Sequence, residues 1–279
     1  MEDVNRLIME TSSIKALILD MDGVLWRGDQ PIGDLSTTFQ RIKSLDLKFT
    51  LVTNNATLTV GQYAQKLGRF GVDLNPEQII NSSIAAAAYL RKRFSSGGNV
   101  YILGESGLID TLAEHGFTHQ ENDVLAVIAA MDRQLTFEKL KRASDLIRSG
   151  ALFIGTNPDR TFPTPEGLIP GAGAILAFLV AVTDTHPVIV GKPFPEMYRI
   201  ALERMNAQPK NTLVVGDRLE TDIAAGQEAG CATALVLSGV TTLEQSKRWS
   251  PPPDIIADNL NGVMDRISKG QFLRLPNRE

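Results

Sequence analysis

Three short, largely apolar runs close on an acidic or hydroxyl side chain: Ile14-Lys15-Ala16-Leu17-Ile18-Leu19-Asp20, Phe49-Thr50-Leu51-Val52-Thr53 and Thr212-Leu213-Val214-Val215-Gly216-Asp217. A fourth, Val188-Ile189-Val190, passes through Gly191 to Lys192. Continuous apolar runs of this length, bounded by turn residues, mark strands buried on both faces of a parallel sheet. Residues 60–70 and 195–205 carry helical patterns, so strands alternate with helices along the chain. That alternation predicts an α/β fold built on a doubly wound, Rossmann-like parallel sheet. In such a sheet the ligand lies outside the carboxyl ends of the strands, where this reading puts Asp20, Thr53, Lys192 and Asp217 together.

Spacing then predicts a second domain. The chain between Asp20 and Thr53 suffices for one strand-helix-strand crossover of about 30 residues. Between Thr53 and Lys192 it is far longer, and a structureless loop of the excess length is improbable. The middle stretch has strand and helix signals of its own at 100–103, 106–115, 124–130, 137–147, 152–154 and 172–182. The expectation is an inserted α/β cap domain at 82–183, within a core made of 1–81 and 184–279.

Composition narrows the classes of function. The formal charge of −4 supplies no basic footprint, which excludes nucleic-acid binding driven by counterion release. No run approaches the ~18 apolar residues of a membrane helix, and the acidic opening MEDVNRLIMETSS has no signal-peptide core. One cysteine, Cys231, cannot pair within the chain. These features point to a cytoplasmic protein without nucleic-acid or membrane partners. His115, His119 and His186 lack metal-ligand spacing and read as surface or turn residues. Gly171-Ala172-Gly173 reads as a tight turn opening a helix, because it lacks the lysine of a nucleotide-binding loop.

Chemistry concentrates at the strand ends. Asp20-Met21-Asp22-Gly23 puts two carboxylates two residues apart, where extended geometry aims both the same way, and Gly23 lets the chain turn. Like charges that close favour a bound cation or protonation of one partner. Magnesium, a hard ion that takes oxygen ligands, would satisfy one carboxylate and leave its neighbour to act as an acid. A calcium loop would require glutamate at its twelfth position, which here is Pro31. Asp217 supplies a further acid. Asp222, five residues on, reads as a helix cap or a support behind the metal site. Thr53-Asn54-Asn55 offers a hydroxyl, amides and backbone N–H groups to an anion, and Lys192 offers positive charge.

In this order, the four segments resemble the four motifs of the haloacid dehalogenase superfamily, over nearly the whole chain. The resemblance implies a nucleophile at Asp20 and an acid/base at Asp22. It further implies a phosphoryl-holding hydroxyl at Thr53, a charge stabiliser at Lys192 and an acidic metal ligand at Asp217. Magnesium (Mg2+) would be bound by Asp20, Asp217 and the backbone carbonyl of Asp22. An insertion between the threonine and lysine motifs matches the type-two-capped members. The phrases Leu51-Val52-Thr53-Asn54-Asn55, Gly155-Thr156-Asn157-Pro158-Asp159 and Gly191-Lys192-Pro193 are similar to the NagD-like, or 4-nitrophenylphosphatase-like, class.

The implied activity is hydrolysis of a small phosphorylated metabolite through a phospho-aspartate, with 4-nitrophenyl phosphate as an artificial substrate. Gly23, Asn54 and Asn55 are expected at the phosphate, and Asn157, Asp159 and Arg160 of the cap at the leaving group. Met131 and Phe162 stand where pyridoxal phosphate phosphatases carry a tyrosine and a histidine. That departure argues against pyridoxal phosphate without naming a replacement. The contrasting reading is a catalytically idle phosphate-binding protein on the same fold, and a homodimer is left open.

Overall fold

The computed structural model describes residues 14–164 and 167–270; the opening stretch 1–13, read above as lacking a signal peptide, lies outside them. The chain opens with strand β1 (Ala16–Leu19), the two-residue strands β2 (Trp26–Arg27) and β3 (Gln30–Pro31), helix α1 (Leu35–Ser44), β4 (Lys48–Thr53), α2 (Val60–Arg69), β5 (Ile79–Asn81) and α3 (Ser82–Arg93). It continues with β6 (Gly98–Leu103), α4 (Ser106–Glu114), β7 (Phe117–His119), β8 (Ala126–Ala129), α5 (Phe137–Arg148) and β9 (Leu152–Gly155). A hairpin of β10 (Thr161–Thr164) and β11 (Gly167–Pro170) leads to α6 (Ala172–Thr183), β12 (Val188–Ile189) and α7 (Glu196–Met205). The last elements are β13 (Thr212–Gly216), α8 (Ala224–Glu228), β14 (Ala232–Val236), α9 (Leu243–Ser246), β15 (Ile255–Ala257) and α10 (Leu260–Ser268).

Two compact units result: Met1–Val52 with Ala64–Ile79 and Tyr198–Glu279, and Thr53–Tyr63 with Ile80–Met197. The first is organised by a six-stranded sheet in the order β15-β14-β13-β1-β4-β5. Every pairing from β15 through β4 is parallel. In the sequence β1 is uniformly apolar because both of its faces are covered, and Ala16 through Leu19 are fully buried. Local chemistry starts the helices. The Asp34 carboxylate accepts from Thr37 N at 3.0 Å to cap α1, whose Leu35, Phe39 and Ile42 recur at helical spacing on the buried side.

The second unit holds a five-stranded, wholly parallel sheet in the order β12-β9-β8-β6-β7. Val127, Ala129, Phe153, Leu146, Leu176 and Leu179 belong to its core, closed by α5 and α6. Each unit is thus a parallel sheet covered by helices, and the expected doubly wound core with an inserted α/β domain is present.

One strand lies elsewhere than its sequence suggested. The run at Val188 was expected in the sheet with β1, β4 and β13; instead Val188 pairs with Ile154 and Ile189 with Gly155 at the edge of the second sheet. A two-residue strand carries too little pattern to name its partner. Here connectivity decides: β9, α6 and β12 make a strand-helix-strand unit whose second strand returns beside the first. The second unit accordingly runs to Met197, beyond the expected limit at 183, and takes in residues 53–63 as well.

Candidate active site

The first cluster of functional groups is acidic and belongs to the first unit. Strands β1 and β13 are adjacent and parallel, with Leu19 opposite Val215, so the chain leaves both strands at the same edge on an aspartate. Carboxylate oxygens of Asp20, Asp217 and Asp222 lie within 4.8 Å of one another. All three residues are buried, at 7%, 2% and 1% exposure respectively. Three carboxylates this close and this far from water repel strongly unless positive charge is supplied, so the donor set fits a hard divalent cation.

Asp222 also organises the turn below the cluster. Its Oδ2 accepts from Asp217 N at 3.2 Å and from Arg218 N at 3.0 Å. Behind β14, Val240 N donates to Asp217 Oδ2 at 2.7 Å. The Asp22 side chain takes another direction, with its Oδ1 accepting from the Trp26 indole Nε1 at 3.0 Å. Trp26 is fully buried, and the Lys66 ammonium sits 4.6 Å from its ring centroid. Gly23 is required twice over: its φ is +88°, and a Cβ there would fall 2.5 Å from Asp217 Oδ2.

A second cluster belongs to the second unit and centres on Asn54. Thr53 is the last residue of β4, and its Oγ1 accepts from Asn55 N at 3.1 Å, a bond that holds the hydroxyl at the strand end. Asn55 Oδ1 is taken by Thr57 N at 3.0 Å and Thr57 Oγ1 at 2.7 Å. Asn54 Nδ2 donates to Asp159 Oδ2 and to the Lys192 carbonyl, both at 3.1 Å. The Asn54 amide, expected to meet an anion, therefore has its donors engaged within the protein, whereas Asn55 is engaged through its Oδ1. Asn157 joins the group through Nδ2 to Asn54 O at 2.8 Å, and its Oδ1 accepts from Asp159 N at 3.1 Å. Lys192 is buried, whereas Arg160 is exposed. Gly171 and Gly173, read as a turn, let the start of α6 pack on the Pro158–Asp159 backbone, where Cβ atoms would meet Asp159 O at 2.4 Å and Pro158 O at 2.2 Å.

These clusters carry the order and residue types of one enzyme family, and comparison with known proteins decides the matter. A model described as haloacid dehalogenase-like hydrolase matches residues 17–118, and a second, HAD-hydrolase-like model matches residues 189–263. The dihydroxyacetone phosphatase of Corynebacterium glutamicum is 34% identical over 89% of this chain and 90% of its own length. An acid sugar phosphatase of Staphylococcus aureus is 35% identical over 91% of this chain and 98% of its own.

The chain belongs to the haloacid dehalogenase-like hydrolases.

Solved structures place this phosphatase in the NagD-like class. The 4-nitrophenylphosphatase of Thermotoga maritima superposes with a TM-score of 0.87 at 32% identity, covering 93% of this chain and 99% of that one. NagD from E. coli gives 0.81 at 33% identity, covering 89% and 97%. A glycerol phosphate phosphatase from Mycobacterium tuberculosis, in complex with calcium, gives 0.83 at 31% identity, covering 90% and 76%. The phosphatase is therefore a hydrolase of phosphomonoesters. Among its described residues no helix is long and apolar enough to cross a membrane.

Sequence reasoning passed over two parts of the site. Leu237-Ser238-Gly239-Val240, leaving β14, wraps Asp217 closely enough that a Cβ on Gly239 would stand 1.9 Å from Asp217 Oδ2. Ser238 Oγ ties that loop to Gly23 O at 2.7 Å. These residues act through a backbone N–H, a single hydroxyl and small size, which no motif of reactive side chains reveals; the only signal was their place after a core strand. Trp26 was missed because an indole beside an acid reads as core packing. Away from the clusters His119 is exposed, as expected of a surface residue; its Nδ1 accepts from Ile102 N at 3.0 Å, and partial desolvation lowers its affinity for a proton.

Proposed function

We propose that the phosphatase hydrolyses small phosphomonoesters with magnesium through a phospho-aspartate on Asp20. The observation that carries this reading is the buried cluster of Asp20, Asp217 and Asp222, which has no purpose in packing and a large electrostatic cost without a cation. Asp20, Asp217 and the Asp22 carbonyl would hold magnesium, with Asp222 fixing the turn beneath, and the ion would supply charge that neutralises the carboxylates and the phosphoryl oxygens.

The protein groups divide the remaining work. An Asp20 oxygen attacks phosphorus and the ester oxygen departs, taking a proton from Asp22. Asp22, now a carboxylate, accepts a proton from the water that cleaves the acyl phosphate, regenerating Asp20 and releasing phosphate. Thr53 and the buried Lys192 are assigned to the phosphoryl oxygens, and Asp159 and Arg160 to the leaving group. Relatives named for dihydroxyacetone, sugar and glycerol phosphates support a short, hydroxylated phosphate ester as substrate. A single cysteine, the buried Cys231, agrees with a cytoplasmic setting.

The test is turnover of 4-nitrophenyl phosphate and a panel of triose, glycerol and sugar phosphates by the wild type and Asp20→Asn, with and without chelator. Activity should vanish in the variant, vanish with chelator, and return with magnesium. A folded Asp20→Asn that still turns over, or full activity in metal-free enzyme, would refute the assignment.

A further inference from the structure

Asn54 adjoins the threonine expected to hold phosphate, yet its side chain is spent on the protein's own backbone. Lys192 N donates to Asn54 Oδ1 at 2.8 Å, and one Nδ2 hydrogen returns to the Lys192 carbonyl at 3.1 Å. A single primary amide thus grips both backbone polar groups of one residue, in the paired pattern of a strand ladder. The second Nδ2 hydrogen goes to Asp159 Oδ2 at 3.1 Å, which employs both donors of the amide.

The backbone of Asn54 is gripped in turn. Its carbonyl accepts from Ser82 Oγ at 2.6 Å and from Asn157 Nδ2 at 2.8 Å. Asn54, Ser82 and Asn157 are all buried, so each bond acts where water cannot replace it. Even Gly191 fits this arrangement. A Cβ there would fall 2.6 Å from Asn54 Oδ1 and 2.3 Å from Thr156 O, closing the space through which the amide reaches Lys192.

Backbone anchoring at both sides of one Cα fixes the direction in which its side chain leaves. From this geometry we infer that Asn54 is a positioning residue: its amide clamps the Lys192 backbone, so that the ammonium meets the phosphoryl group already aimed. The same amide ties the Asp159 carboxylate to that clamp. This inference rests on the role proposed above for Lys192. It also reassigns Asn54, whose side chain serves the lysine rather than the substrate.

The test is a double-mutant cycle on kcat for 4-nitrophenyl phosphate with magnesium, using wild type, Asn54→Ala, Lys192→Ala and the double variant, with melting temperatures alongside. A misplaced catalytic group loses on the order of a hundredfold, so Asn54→Ala should drop kcat by about that factor while KM changes less. In the Lys192→Ala background the same substitution should cost less than about threefold, because the group it positions is already gone. Asn54→Asp serves if the alanine variant fails to fold: it keeps an acceptor for Lys192 N and loses both donors, and the same non-additivity is expected. Equal losses in the two backgrounds would overturn the inference, as would unchanged kcat in the single variant. Asp20→Asn, assayed in parallel, separates this from failure of the phosphatase mechanism: if it is inactive while the cycle is additive, only the role of Asn54 falls.

Discussion

Replacing Trp26 by phenylalanine removes one hydrogen-bond donor from Asp22, the proposed acid/base, and keeps an aromatic ring in the core. The indole Nε1 lies 3.0 Å from Asp22 Oδ1; Trp26 is fully buried and Asp22 partly so, and a phenyl ring in the same place supplies no N–H. A hydrogen bond to a charged group contributes roughly 1.5–3 kcal/mol. If that energy holds the carboxyl group in its working orientation, its loss lowers the rate of a proton-dependent step on the order of ten- to a hundredfold. The smaller ring also leaves a void costing about 1–3 kcal/mol of stability, so assays belong well below the measured Tm. The informative measurement is kcat/KM, which reports steps up to departure of the leaving group, for two esters. Nitrophenolate leaves with little help from an acid, whereas the alkoxide of glycerol phosphate needs a proton. Trp26→Phe should therefore lower kcat/KM for glycerol phosphate by the full factor and for 4-nitrophenyl phosphate by only about threefold or less. Equal losses for both esters would show that Trp26 supports the fold without orienting Asp22, and the reasoning would fail.

Two further outcomes follow from contacts already described. Gly239→Ala pushes a Cβ toward Asp217 Oδ2 and should raise the magnesium concentration for half-maximal activity about tenfold or more; an unchanged metal titration would show that the loop does not shape the metal site. Burial is the largest influence lowering the proton affinity of His119 below its ordinary 6.5, aided by Lys139 and opposed by Glu121. The unfolded chain then takes up its proton at higher pH than the folded one, so stability is fully present above about pH 6.5 and declines as pH falls through the lowered folded value. His119→Gln should flatten the dependence of Tm between about pH 7.5 and 5.5. An equally steep variant would place the titration elsewhere.

Much of this architecture is legible in the sequence because buried parallel strands leave unbroken apolar runs. The residues at their ends, Asp20, Thr53 and Asp217, announce themselves by ending such runs. Other parts are set by long-range pairing that local pattern does not encode. Val188 and Ile189 look the same in either sheet, and only the return of the chain through α6 assigns them. The roles of Asn54 and Trp26 depend on which groups the fold carries to an amide or an indole, 138 positions away for Lys192 and one turn away for Asp22. The loop at Gly239 contributes an N–H and empty space, neither of which marks a sequence.

The lengths of the outermost strands have a bearing on how this protein behaves when crowded. Each of the two large sheets keeps its longer strands inside and ends on short ones: β15 and β5 have three residues each, β12 two and β7 three. A strand of that length exposes only one or two unpaired backbone groups, too few to hold a foreign strand in register. The sticky interior segments, such as Thr212–Gly216, are flanked on both sides by partners. Fibril growth by edge addition would first have to peel away a border strand, so aggregation in this chain is tied to partial unfolding rather than to its native surface.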